Sequence, residues 1–366
     1  MSSPRAARLE RVRARMDALG VDALLLSLGA DLPWLTGYEA MPLERLTMLV
    51  VPRGGEATLV VPRLEAPRVE EDRSVFGVRP WSEGEDPVAV VAGLAGPARA
   101  VAVSDRTWAT FVLALQSALP QAAWRPASGV TGVLRAVKDE AEIAALAAAS
   151  AAADRVALDL LGGRIPLIGR TERDVSQDIG RRLIAEGHQK VNFAIVGSGP
   201  NSASPHHEPG NRIIEAGEAV VCDFGGTMDG YCSDITRTVW TGPPTEEQRA
   251  LYRVLEEAQA AGVAAARPGT SCEAVDRAAR SVIEAGGYGD AFIHRTGHGI
   301  GLEEHEDPYI VSGNGEDLVP GHAFSVEPGI YLAGRFGARI EDIVVASGEG
   351  PVPLNRVSHE LTVVEA

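Results

Sequence analysis

The chain is short of cysteine, of basic charge and of long apolar runs, and each shortage removes a class of protein. Three cysteines in 366 residues, Cys222, Cys232 and Cys272, cannot build a disulfide framework. Lys and Arg number 34 against 50 Asp and Glu, for a net charge of −16. A nucleic-acid partner would call for a basic surface instead. No apolar run approaches the ~18 residues of a membrane span, so no membrane partner is expected. The first residues lead into an Arg-rich amphipathic stretch without the hydrophobic segment of a signal peptide, which predicts a cytoplasmic location. A Gly-x-Ser-x-Gly nucleophile motif is missing. Gly93 and Gly96 follow an apolar run but lack the third glycine or the Gly-Lys pair of a phosphate loop.

What is present is an ordinary 45% hydrophobic fraction and enough length for two or three domains. The pattern divides near residue 136, giving an N-terminal domain over 1–135 and a larger one over 136–366. In the first, a helix over 5–19 and strands over 23–26, 46–51, 57–61 and 100–103 precede a helix over 108–119, as in an α/β domain with a mixed sheet. In the second, an alanine-rich helix runs from Lys138 to Leu161 and stops at Gly162-Gly163. Thr171 is placed to cap a further helix, and helices over 245–266 and 272–284 sit among strands. That order, with an antiparallel hairpin, predicts an α+β fold.

The chemistry concentrates in five residues of the second domain. Asp223 lies in Val-Cys-Asp-Phe-Gly, Asp234 in Cys-Ser-Asp-Ile-Thr-Arg-Thr and His298 in Thr-Gly-His-Gly-Ile-Gly. Glu327 lies in Ser-Val-Glu-Pro-Gly-Ile-Tyr and Glu341 in Arg-Ile-Glu-Asp-Ile. Four carboxylates and one imidazole suit two divalent cations about 3.5–4 Å apart sharing a hydroxide. Asp223 and Asp234 are separated by an odd interval, which on one continuous strand would put them on opposite faces. Between them stands Asp229-Gly230, a favoured hairpin turn. If that pair is the turn, Asp223 faces Thr236 and Asp234 is the diagonal neighbour; a turn at Met228-Asp229 would make the two aspartates direct partners. Either register leaves both carboxylates on one face. Glycines on both sides of His298 let backbone crowd close to it.

In this order, Asp, Asp, His, Glu, Glu, the chain resembles the pita-bread metallopeptidases, which include methionine aminopeptidases, aminopeptidase P and prolidase. The resemblance is dense from about Lys138 onward. It is looser before that, where Leu32-Pro33-Trp34-Leu35-Thr36-Gly37-Tyr38 looks like the proline-specific branch. It implies a pita-bread catalytic domain preceded by a smaller creatinase-like α/β domain. By the same resemblance, Asp223 would chelate one metal, Asp234 and Glu341 would bridge both, and His298 and Glu327 would complete the second. Glu327 would also carry the proton from the attacking water to the leaving nitrogen. His305, in Glu-Glu-His-Glu-Asp-Pro, would stabilise the carbonyl oxygen under attack. His206, after Ser204-Pro205, would contact the proline-side residue.

The resemblance implies hydrolysis of an Xaa-Pro bond in a small peptide, with the N-terminal domain pointing to an Xaa-Pro dipeptidase. Aminopeptidase P activity on longer peptides is the alternative, and a creatinase-type hydrolase or a non-catalytic binding protein is more remote because all five ligands are present. Oxygen-rich ligation favours Mn²⁺, with Co²⁺ and Zn²⁺ as alternatives, and a homodimer is expected. Many prolidases carry an arginine soon after the His-Glu-x-Pro segment, where this chain has Tyr309. Arg335, in the Gly334–Gly337 loop, is therefore the expected partner of a substrate carboxylate, and Arg339 is expected to lie behind Glu341 as its supporting partner.

Overall fold

A computed structural model of the chain describes residues 3–364. One compact unit ends at Arg135 and a second begins at Ala136.

The first unit is built on a six-stranded sheet in the order Phe76–Trp81, Ala57–Pro62, Met48–Pro52, Ala23–Leu26, Ala100–Val103, Ala123–Pro126. Met48–Pro52 pairs antiparallel with both neighbours and the outer pairings are parallel, so the sheet is mixed. Every residue of Ala23–Leu26 is buried, as in a strand covered on both faces. The helix Pro4–Leu19 starts with Ser3 accepting a hydrogen bond from Ala6 N and Pro4 in the first turn; it ends on Gly20 at φ +65°. Several elements lie outside the sequence expectation: Asp31–Thr36, Phe76–Trp81, Pro87–Ala95, Ala123–Pro126 and Gly132–Ala136. Phe76–Trp81 contains Gly77 and Pro80, which read as turn residues, but the strand lies at the sheet edge, where proline is tolerated. Gly93 falls inside the helix Pro87–Ala95 and Gly96 caps its end, so the Gly-x-x-Gly spacing is a helix terminus.

In the second unit the helix Glu140–Leu161 begins two residues later than its alanine pattern suggests. Asp139 and Glu142 form a reciprocal capping box that fixes the start. Helices Glu172–Ala185, Glu246–Ala265 and Cys272–Ala285 follow, each opened by a Thr or Ser cap. The sheet that carries the aspartates runs Thr362–Val363, Ile235–Trp240, Ala219–Met228, Lys190–Ser198. The other large sheet runs Glu306–Ile310, Gly297–Gly299, Ala323–Val326, Asp342–Ser347, Gly350–Pro353. Asp229 (φ +49°) and Gly230 (φ +85°) turn the hairpin, as a primed turn requires. That turn sets Met228 opposite Tyr231 and Asp223 opposite Thr236, the first of the two registers considered. A single bridge between Thr236 and Glu341 joins the two sheets. Asp223, Thr236 and Glu341 therefore stand in line across adjacent strands.

Candidate metal centre and active site

The hairpin, the glycine strand and the Thr236–Glu341 bridge deliver all five acidic and imidazole residues to one region. Asp223, Asp234, His298 and Glu341 are buried and Glu327 is partly so. One ligand atom each of Asp234, His298 and Glu341 lies within 4.8 Å of the others. His298 Nε2 is 3.3 Å from Glu327 Oε1 and 3.8 Å from Asp234 Oδ2. The ring is set by His298 Nδ1, which donates to the Gly299 carbonyl at 3.2 Å and so leaves Nε2 facing the carboxylates. Ser325 Oγ accepts from the His298 amide at 3.1 Å and donates to Glu327 Oε1 at 3.2 Å, tying the two together. Glycine is needed on both sides. A Cβ on Gly297 would lie 1.8 Å from the Ser325 carbonyl oxygen, and one on Gly299 2.2 Å from that of Asp307.

Charge in this cluster is unbalanced. Arg339, itself buried, donates to Asp223 Oδ2 at 2.6 Å and to Thr236 Oγ1 at 3.1 Å. Thr236 Oγ1 in turn donates to Glu341 Oε2 at 2.6 Å. One guanidinium faces four carboxylates, and buried charge without a partner is costly. Burial pushes Asp234 and Glu341 well above the carboxylate range, and the neighbouring carboxylates push in the same direction. Burial also raises Asp223, against the pull of Arg339. Burial would raise Glu327 too, but the hydrogen bond and charge of His298 outweigh it and bring it to about 2. Oδ1 of Asp223 and Oδ1 of Asp234 are buried without a hydrogen-bond partner. Unpartnered carboxylate oxygens, excess negative charge and a mixed O/N donor set fit divalent cations.

Three histidines surround the cluster. The rings of His305 and His298 are 3.9 Å apart between centroids. Although His305 reaches solvent, desolvation by its surroundings, then the charges of His298 and Arg295, lowers it to about 4. It is thus neutral at pH 7. His206 is near enough for its charge to act on both His305 and His294. Its neighbour His207 is turned the other way, with Nε2 2.8 Å from the buried Glu172.

The second unit matches the model of metallopeptidase family M24 over residues 137–347, and residues 8–137 match that of the creatinase/prolidase N-terminal domain. The chain belongs to metallopeptidase family M24. Over 98% of its length it is 46% identical to the probable dipeptidase PepE of Mycobacterium bovis, covering 96% of that protein. It is 34% identical to the Xaa-Pro dipeptidase of Lactobacillus helveticus, with 97% of this chain and 98% of that one covered. The crystal structure of the prolidase from Thermococcus sibiricus superposes with a TM-score of 0.92 at 37% identity, covering 99% of each chain. The chain is therefore a metallopeptidase of creatinase-plus-pita-bread architecture. Among the described residues, no helix is long and apolar enough to cross a membrane.

Arg335 and Arg339 take different places around this M24 site. Arg335 is not brought to the centre. It is exposed, and both arms of its guanidinium bind the Glu247 carboxylate, the Nη1 bond being 3.0 Å. A loop arginine beside an unpaired helix carboxylate takes the local partner. Arg339 supports Asp223 directly and reaches Glu341 only through Thr236. Two residues passed unnoticed. His294 Nδ1 donates to the Arg295 carbonyl at 2.7 Å, so its Nε2 accepts from Tyr331 OH at 2.9 Å, which accepts in turn from Arg339 Nη1 at 2.8 Å. Burial lowers His294 and raises Tyr331 to about 12, which keeps the imidazole neutral and the phenol protonated. The available signal was spacing: His294 is four residues before His298, and Tyr331 closes the segment that begins at Glu327.

Proposed function

We propose that this M24 enzyme is an Xaa-Pro dipeptidase working through a dinuclear metal centre. One observation carries the reading: Asp234, His298 and Glu341 form a buried cluster, Glu327 lies 3.3 Å from His298, and one carboxylate oxygen each of Asp223 and Asp234 is buried without a partner. Its full-length similarity to an Xaa-Pro dipeptidase supports the substrate class. Asp223 would hold one cation, Asp234 and Glu341 both, and His298 with Glu327 the second; oxygen-rich ligation favours Mn²⁺. When bound, such a pair supplies a low-pKa water as nucleophile and polarises the scissile carbonyl.

The protein's own groups complete the reaction. Glu327, held ionised, takes the proton of the attacking water and delivers it to the leaving nitrogen. That nitrogen belongs to a tertiary amide and departs only once protonated. Neutral His305 donates a hydrogen bond to the carbonyl oxygen as it gains charge. His206 packs against the proline side. We also assign a cytoplasmic location and a homodimeric state, which sedimentation would test.

Glu172 controls where His206 stands. Buried completely, it accepts from Ser198 N and Oγ at 2.8 Å, Asn201 Nδ2 at 3.0 Å, His207 Nε2 at 2.8 Å and Gly210 N at 3.4 Å. These donors span the loop that carries His206. Glu172→Gln replaces acceptors with an amide that meets donors, a loss of roughly 1–3 kcal/mol. It is expected to raise KM for Ala-Pro several-fold while kcat falls less. A fall in kcat alone would count against this positioning role.

The substrate assignment is tested by comparing Mn²⁺-dependent release of proline from Ala-Pro with cleavage of Ala-Pro-Gly. Faster dipeptide hydrolysis is expected. Brisk tripeptide cleavage without dipeptide turnover would make the enzyme an aminopeptidase P. Because Arg335 is bound to Glu247, Arg335→Ala should leave KM for Ala-Pro unchanged.

A further inference from the structure

Glu341 stands at a weak point of the backbone. It falls between the strands Phe336–Arg339 and Asp342–Ser347, inside neither, and joins Thr236 by an isolated bridge. Its amide donates to the Thr236 carbonyl at 3.2 Å, and its carboxylate accepts from Thr236 Oγ1 at 2.6 Å. Both bonds run to one residue. Its own carbonyl is buried where a continuous ladder would ordinarily satisfy it, and such a group must find a donor.

Arg237 supplies it from behind. It follows Thr236 on the strand Ile235–Trp240, so its side chain leaves by the opposite face of the pleat. The residue is 1% exposed, and its guanidinium makes five hydrogen bonds, one for each N–H. Nη1 donates to the Glu341 carbonyl at 2.8 Å and to the Thr236 carbonyl at 2.9 Å. Nη2 donates to Asp342 Oδ1 and to the Val357 carbonyl, both at 2.8 Å, and Nε to the Ser358 carbonyl at 3.1 Å. The other oxygen of Asp342 accepts from His359 Nε2 at 2.6 Å and from Gln259 Nε2 at 3.3 Å. Asp342 answers the charge of Arg237, and no N–H is left over for the carboxylates of the metal centre. What Arg237 gives that centre is geometry: a rigid fork that fixes Glu341, Thr236 and residues 357–358 to one another.

We propose that Arg237 is the positioning residue for Glu341, and that residues 357–359, tied to the same point, form part of the frame that holds the second metal ion. This rests on the dinuclear reading and deepens it. A carboxylate shared by two cations must keep both of its oxygens in place, so a shift of its backbone is felt by the pair of ions together. Partners that orient a metal ligand commonly contribute 10- to 100-fold in metal affinity.

The test is calorimetric titration of the chelator-stripped, full-length protein with Mn²⁺, beside melting curves and Ala-Pro kinetics. Arg237→Lys keeps the charge facing Asp342 but has too few donors for all the carbonyls. It is expected to keep the first equivalent of Mn²⁺ and to bind the second roughly 10- to 100-fold more weakly. At saturating Mn²⁺ its kcat should fall while KM for Ala-Pro moves less. His359→Phe, at a partly exposed position, removes one donor to Asp342 and leaves Arg237 in place. It should weaken the second equivalent in the same direction by a smaller factor, and it decides the matter if Arg237→Lys does not fold. A merely structural role would lower the melting temperature and leave the second affinity unchanged. That result, or an equal loss of both equivalents, overturns the assignment while the dinuclear reading stands. A wild type that takes up a single equivalent rejects the dinuclear reading, and the Arg237 assignment with it.

Discussion

Asp234→Ala and Glu341→Ala are each expected to reduce peptide hydrolysis to background and to lower bound metal from about two equivalents to one or fewer. Both side chains are the proposed bridges, and both sit within the 4.8 Å cluster with His298. Removing either leaves two cations facing each other with less negative charge between them. Elemental analysis of each variant beside the wild type provides the check. Full metal content with wild-type turnover in either variant would show that the ligands are wrongly assigned.

The same residues give the metal-free protein a characteristic pH response. Asp234 and Glu341 are raised well above their ordinary 3.8 and 4.5 in the folded state. A carboxylate whose folded pKa is raised binds protons more tightly folded than unfolded. Its contribution to stability is therefore present below about pH 4 and lost as the pH climbs through the folded value. The chelated enzyme should lose thermal stability as pH rises from 4 toward 7, and added Mn²⁺ should restore it at pH 7 by binding the folded state. Melting curves with and without metal across that range measure this.

His305→Ala is expected to lower kcat by ~10²-fold or more, because a donor aimed at a developing oxyanion is commonly worth that much. KM should move less. The contact supporting this is the 3.9 Å approach of its ring to His298, which puts the imidazole beside the proposed metal ligand. Its lowered pKa, about 4, makes it a neutral donor across the working range. The pH profile of kcat should therefore show no protonation of His305 above pH 5. An unchanged kcat in the alanine variant would remove His305 from the reaction.

What could be read from the sequence was whatever local chemistry decides. Asp229-Gly230 fixed the hairpin because both positions take positive φ, and that turn alone put Asp223 opposite Thr236. Glycines flanking His298 predicted close backbone approach, and the carbonyls of Ser325 and Asp307 occupy that space. Long-range pairing was harder to read. Nothing near Arg335 in sequence announces Glu247, which lies on a helix 88 residues earlier. The Arg339–Tyr331–His294 chain depends on strands that meet only after folding. Phe76–Trp81 was hidden because Gly77 and Pro80 signal a turn locally, whereas an edge position in the sheet accepts them.

The proposed activity is hydrolysis of Xaa-Pro bonds at this cluster with a pair of metal ions. The most direct measurement is release of proline from Ala-Pro by chelator-stripped protein as Mn²⁺ is added back stepwise. Activity should be absent without metal and rise to a plateau at about two equivalents per chain. Proline release that is undiminished after complete metal removal, or no release at any Mn²⁺ level, would contradict it.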